Sequence, residues 1–122
     1  MLTIDVEKTG DVAVVRCAGR IVRGVEVRTL RNAVFTARDI RIVVIDLSDV
    51  EMLDAGGLTA LLGLQRWAES RKVQLKLVNP SHFVGEILSR TGLDHVFEIS
   101  SFEHALFVLS APNCHHSRYA VC

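Results

Sequence analysis

The stretch from Ile42 to Leu62, Ile-Val-Val-Ile-Asp-Leu-Ser-Asp-Val-Glu-Met-Leu-Asp-Ala-Gly-Gly-Leu-Thr-Ala-Leu-Leu, constrains this chain more than any other. A β-branched run ends in Asp46, a short polar loop is expected after it, and Gly56 and Gly57 open an apolar helix. A strand that feeds a helix start leaves backbone N–H groups unpaired at the positive end of the helix dipole. Such an end suits an anion or a partner surface.

The flanking segments repeat this alternation. Thr3 to Lys8 and Val12 to Ala18 are short alternating or β-branched runs around Thr9-Gly10-Asp11, which predicts an antiparallel hairpin. Gly19 to Gly24 is expected to be a loop. Val27, Leu30, Ala33, Val34 and Ala37 then recur at helical spacing, predicting a helix over Val25 to Ala37. Arg41 to Leu47 is the buried strand, Gly57 to Ser70 the second helix, and Val73 to Val78 the next strand, stopped by Asn79-Pro80. Ser81 is placed to cap a third helix through Ser89, which Thr91-Gly92 would end. Val96 to Ile99 reads as a last strand, and Ser100 or Ser101 as the cap of a final helix reaching about Leu109. Helices that alternate with strands favour parallel strands joined by right-handed crossovers. The hairpin makes the sheet mixed. The expected fold is therefore α/β, a single domain over residues 1–110 with about four helices, followed by a loose tail over 111–122 that has no periodicity.

Composition narrows the function classes. At 122 residues, 49% hydrophobic and 23% charged, the chain has enough apolar material for one core. A net charge of zero gives no general pull toward nucleic acid or an anionic membrane. No apolar run approaches the roughly 20 residues of a membrane span, and Met1 to Asp5 lacks the charge and apolar block of a signal peptide. Cys17, Cys114 and Cys122 form no disulfide framework, so a cytoplasmic location is expected.

Asp46-Leu47-Ser48 followed by Asp54-Ala55-Gly56-Gly57-Leu58 resembles the signature of the STAS domain family, the anti-sigma factor antagonists and their relatives. That family reads Asp-Leu-Ser and then Asp-x-Ser-Gly-Leu, with the serine before Gly-Leu phosphorylated as a switch. Leu75 to Asn79 and the later Thr91-Gly92-Leu93 also look like the family, and the resemblance runs from about Thr3 to Leu109. It implies a STAS-like domain that acts by binding another protein through Asp54, Ala55, Gly56, Gly57 and Thr59. The implied partner is an anti-sigma factor with a histidine-kinase-like ATPase fold. A second implied role is the cytoplasmic accessory subunit of an ABC-type lipid transporter, docking an ATPase subunit. A nucleotide-binding sensor is a third, without a P-loop glycine pattern to support it. No cofactor is implied.

Two departures bear on the switch. Gly56 stands where the phosphorylated serine is expected, so Thr59 and Ser48 are the nearest remaining hydroxyls. Gly19-Arg20-Ile21-Val22 stands where many members carry Gly-x-Leu-Asp, and Val22 supplies no carboxylate. The resemblance then implies a form held permanently in the binding-competent state.

For each candidate a bland reading stands beside the functional one. Asp54 is either a helix cap alone or also part of a partner-binding rim. Gly56 and Gly57 serve either a backbone conformation that a side chain would resist or a surface free of side chains. Thr59 and Ser48 are a helix-backbone and a turn-forming hydroxyl unless phosphorylated. Six arginines between Arg20 and Arg41 face only Glu26 and Asp39, as a solvated face or a docking patch for an acidic protein or a nucleotide phosphate. Trp67 packs as core or anchors a partner. Cys114, His115, His116 and Cys122 lack paired zinc spacing, so no metal is expected. His82, His95 and His104 fall in unrelated elements, no nucleophile pattern has support, and no enzyme is expected.

Overall fold

A computed structural model of the chain describes residues 2–36 and 39–100. Strands β1 (Leu2–Thr9) and β2 (Val12–Ile21) form the expected hairpin, in register from Leu2 opposite Gly19 to Thr9 opposite Val12. Gly10, at φ 60°, takes the first position of the two-residue turn, where a side chain would be strained. Then follow α1 (Val25–Phe35), β3 (Ile42–Leu53), α2 (Ala55–Arg71), β4 (Gln74–Val78), α3 (His82–Thr91), a short 3₁₀ turn (Leu93–His95) and β5 (Glu98–Ser100).

The sheet runs in sequence order, β1-β2-β3-β4-β5, and is parallel from β2 onward. Each crossover moves one strand in the same direction, so right-handed connections put α1, α2 and α3 on one face. The core lies there. Val15, Ile45 and Leu77 from neighbouring strands meet Leu30, Val34, Leu61, Leu64 and Leu88 from the helices. On the other face Ile42, Val44 and Val78 are also buried, with Val12 and Val14 against them.

Two strands are longer than expected. β2 continues past Ala18 through the supposed loop to Ile21, which is fully buried. β3 continues past Leu47 to Leu53, so Asp46-Leu47-Ser48 is no turn and no polar loop precedes Asp54. Two register shifts explain the misreading. Arg16 pairs with Asp46 but Ala18 with Asp49, and Gly19 pairs with Val50 but Arg20 with Met52. Each bulge inserts one residue into β3, so its inward positions step from Leu47 to Val50 to Leu53 instead of alternating. A three-residue step hides a strand from a search for period two. At the first bulge the Ser48 N–H and hydroxyl both donate to Asp46 Oδ1, at 3.0 and 2.7 Å.

The third helix matches its expected signals. The Ser81 hydroxyl accepts from the Val84 N–H at 3.3 Å, and Gly92 closes the helix at φ 75°. Three α-helices stand among the described residues, and the expected fourth helix and the tail lie outside them.

Candidate partner-binding site

The candidate site lies where β2 and β3 stop and α2 begins. Asp54, extended at φ −101° and ψ −176°, is the cap of α2, and its Oδ1 accepts the Gly57 N–H at 2.7 Å. The same carboxylate does a second thing that its spacing in sequence does not announce. Both of its oxygens accept the Arg23 N–H, each at 3.2 Å, across 31 residues of chain. Asp54 therefore caps the helix and pins the β2–α1 loop over it. The N–H donors of Gly57 and then Arg23, with the Arg23 charge, hold its carboxyl below the usual aspartate range.

The two glycines have different jobs. Neither has a positive φ, so the expected unusual backbone conformation is absent and space is what matters. A Cβ on Gly57 would overlap the Ile21 carbonyl oxygen and sit 2.8 Å from Leu53 Cδ1. Gly57 is buried, and its position serves the close approach of α2 to β2 rather than an open docking surface. Gly56 is half-buried at the surface, and a Cβ there would lie 2.7 Å from Arg23 Cβ and 3.1 Å from Arg23 Cα. The pinned loop already occupies the space that a serine side chain would need.

Around this point the described residues form a rim. Asp54, Ala55 and Thr59 are exposed, and the Thr59 hydroxyl donates to the Ala55 carbonyl at 2.8 Å, as a helical threonine commonly does. Val25, 66% exposed, and Met52, 39% exposed, add apolar surface that sequence reading missed. Met52 is exposed because the second bulge turns it outward beside Arg20. Ser48 is not part of the rim. It lies earlier on β3 with its hydroxyl committed to Asp46.

The arginines do not act as one patch. Arg20 and Arg23 flank the rim, whereas Arg41 precedes β3 at the far end of the sheet and pairs with Asp11 at 3.3 Å. Arg31 lies over the Phe35 ring at 5.6 Å. Arg38 is outside the described residues. Trp67 is half-buried, packs against the core and meets Phe35 with ring centroids 5.2 Å apart, which is satellite packing near the end of α2. His82 and His95 stand beside Glu86 and Asp94, and among the described residues no three metal-ligating groups converge. The Cys114-to-Cys122 cluster falls outside the described residues, as does His104.

Known proteins share this fold. The family model described as STAS domain matches residues 3–106. No curated protein matches the chain. Among solved structures, the unphosphorylated anti-sigma factor antagonist SpoIIAA is similar with a TM-score of 0.71 at 22% identity, over 85% of this chain and 93% of that one. An anti-sigma factor antagonist from Mycobacterium paratuberculosis is similar with a TM-score of 0.65 at 29% identity, over 87% and 92%. A sulfate transporter family protein from Wolinella succinogenes is similar with a TM-score of 0.69 at 22% identity, over 79% and 82%. Strand order, the signature at the start of α2 and a family match over most of the chain agree: this protein belongs to the STAS domain family.

Proposed function

We propose that the chain is a non-enzymatic, cytoplasmic regulator that binds another protein at the rim formed by Asp54, Ala55, Gly56 and Thr59, in the manner of an anti-sigma factor antagonist. Its partner is an anti-sigma factor with a histidine-kinase-like ATPase fold. The observation that carries this reading is the Arg23 main chain packed on Gly56 and tied there by Asp54. The rim has no acceptor oxygen at the signature position and no room for one. A phosphate at a helix start would change the local charge by about two units. With none possible at residue 56, the surface keeps one charge state and the partner meets a permanently receptive site.

A second reading keeps the same rim and changes the partner to the ATPase subunit of an ABC-type lipid transporter. A docking role without a phosphate switch favours it. Affinity capture from lysate with the immobilised chain, read by mass spectrometry, tests both. Recovery of a kinase-like ATPase supports the first reading, recovery of an ABC ATPase replaces it by the second, and recovery of neither sinks both. Incubation of the chain with the captured kinase and ATP should leave it unphosphorylated. A stoichiometric phosphate on Thr59 or Ser48 would show a switch that has moved.

A further inference from the structure

The rim is continuous with a groove of about 290 Å³ between α1 and α2. Val27, Arg31 and Phe35 form one wall, each one helical turn from the next, and Gly56, Ala60 and Gly63 form the floor along α2. Thr59 also lines this side, and the floor is open where Gly63 contributes no side chain. Gly56 lies at its head beside the rim, and Phe35, whose ring meets Trp67, lines its far end.

Gly63 is the informative residue. It is exposed in the middle of a 17-residue helix, and a Cβ on it would meet nothing within 4 Å. Glycine there costs about 1 kcal/mol of helix stability relative to alanine. Gly57 is explained by the Ile21 carbonyl, but no packing contact explains Gly63. What it provides is an open floor.

Charge identifies the occupant. Among the described residues Arg28, Arg31 and Arg66 have no carboxylate partner. Arg31 lines the groove, Arg28 lies one turn before it on α1, and Arg66 lies one turn beyond Gly63 on α2. An apolar trough lined by Arg31, with Arg28 and Arg66 one turn away on the two helices and none of the three held by a carboxylate, matches a large apolar side chain flanked by carboxylates. Its volume is just below the roughly 300–1,000 Å³ range of small-molecule sites and suits one or two protruding side chains.

We propose that the α1–α2 groove receives a large apolar side chain on an acidic segment of the protein that docks at the rim, so that the contact extends from Gly56 along α2 to Trp67. This rests on the reading that this end of the molecule binds a protein. The test titrates the ¹⁵N-labelled chain with a synthetic peptide of Glu and Ala around one central Phe. Shifts should concentrate at the Gly56 and Gly63 amides and the Trp67 indole. Arg31→Ser should weaken binding by about three- to fivefold, the size of an exposed ion pair. Gly63→Phe, which fills the trough with its own ring, should abolish binding while the helical circular dichroism is retained. Gly63→Leu serves if the phenylalanine variant does not fold. Absent shifts, shifts elsewhere, equal binding of a Lys-for-Glu peptide, or unchanged binding in the filled variant would each overturn the groove assignment. Partner capture separates this from the parent reading. If wild type and Gly63→Phe recover the kinase-like ATPase equally, the groove is wrong and the rim stands. If neither recovers it but the peptide seats as described, the groove stands and the proposed partner falls.

Discussion

Position 56 shows how much a single residue can mean once its neighbours are known. Regaining serine there is more than adding an oxygen, since the new Cβ would meet Arg23 Cβ at 2.7 Å and force the pinned loop to move. Gly56→Ser is expected to destabilise the fold by about 1–3 kcal/mol, as overpacking does. Arg23→Gly, which removes the nearest atom, should recover part of that loss when the two changes are combined. Urea unfolding of the two single variants and the double variant measures the coupling, and strict additivity would show that Arg23 is not what fills the space. Gly56→Asp is for the same reason no simple charge mimic of a phosphorylated site. Asp54 yields a pH prediction. Its folded pKa lies below its unfolded one, so its contribution is fully present above about pH 4 and is lost as pH falls through the lowered folded value. Asp54→Asn keeps a capping side chain but removes the titration. The variant's stability should therefore fall less steeply with acid than that of the wild type, and parallel acid limbs in thermal melts would refute this.

Among the elements, the helices and the first half of β3 were legible and the second half of β3 was not. Helix starts and stops are local events, so Ser81 and Gly92 bound α3 as read, and Asp54 caps α2. The stretch after Leu47 escaped because its bulges depend on how it lies against β2, and they change its burial period from two to three. The link between α3 and this bulged strand runs through one side chain. Ser81 Oγ donates to the Val50 carbonyl at 2.7 Å while accepting the Val84 N–H, and the Ser81 N–H donates to the Leu47 carbonyl at 3.2 Å. Ser81→Ala leaves the last contact but removes the other two. A loss of about 1–2 kcal/mol is expected in chemical denaturation, the range of a lost cap. A change under about 0.5 kcal/mol would mean that water replaces the hydroxyl at both ends.

At the scale of the whole molecule, a net charge of zero conceals an uneven distribution. Arg20, Arg23, Arg28 and Arg31 gather at the rim end and on α1 against Glu26, whereas Arg16 and Arg41 are paired away with Glu7 and Asp11. If the rim end steers an acidic partner, Arg20→Ser with Arg23→Ser should slow association by up to about tenfold and flatten its salt dependence, leaving dissociation nearly unchanged. Serine at 23 keeps the N–H that Asp54 holds, so the loop stays in place. Association kinetics with the captured partner at two ionic strengths decide this, and an unchanged rate would return the arginines to a solvated face. The same division between near and far separates what the chain declares from what folding adds. Strand and helix order, the hairpin, the caps and the signature at the start of α2 follow from the sequence alone, because side-chain periodicity and capping act within one or two turns. The bulges, the burial of Gly57, the pairing of Arg41 and the Asp54–Arg23 contact were decided by tertiary structure. Each depends on which distant backbone passes alongside, and residues 31 apart in sequence carry no local mark of the hydrogen bonds that join them.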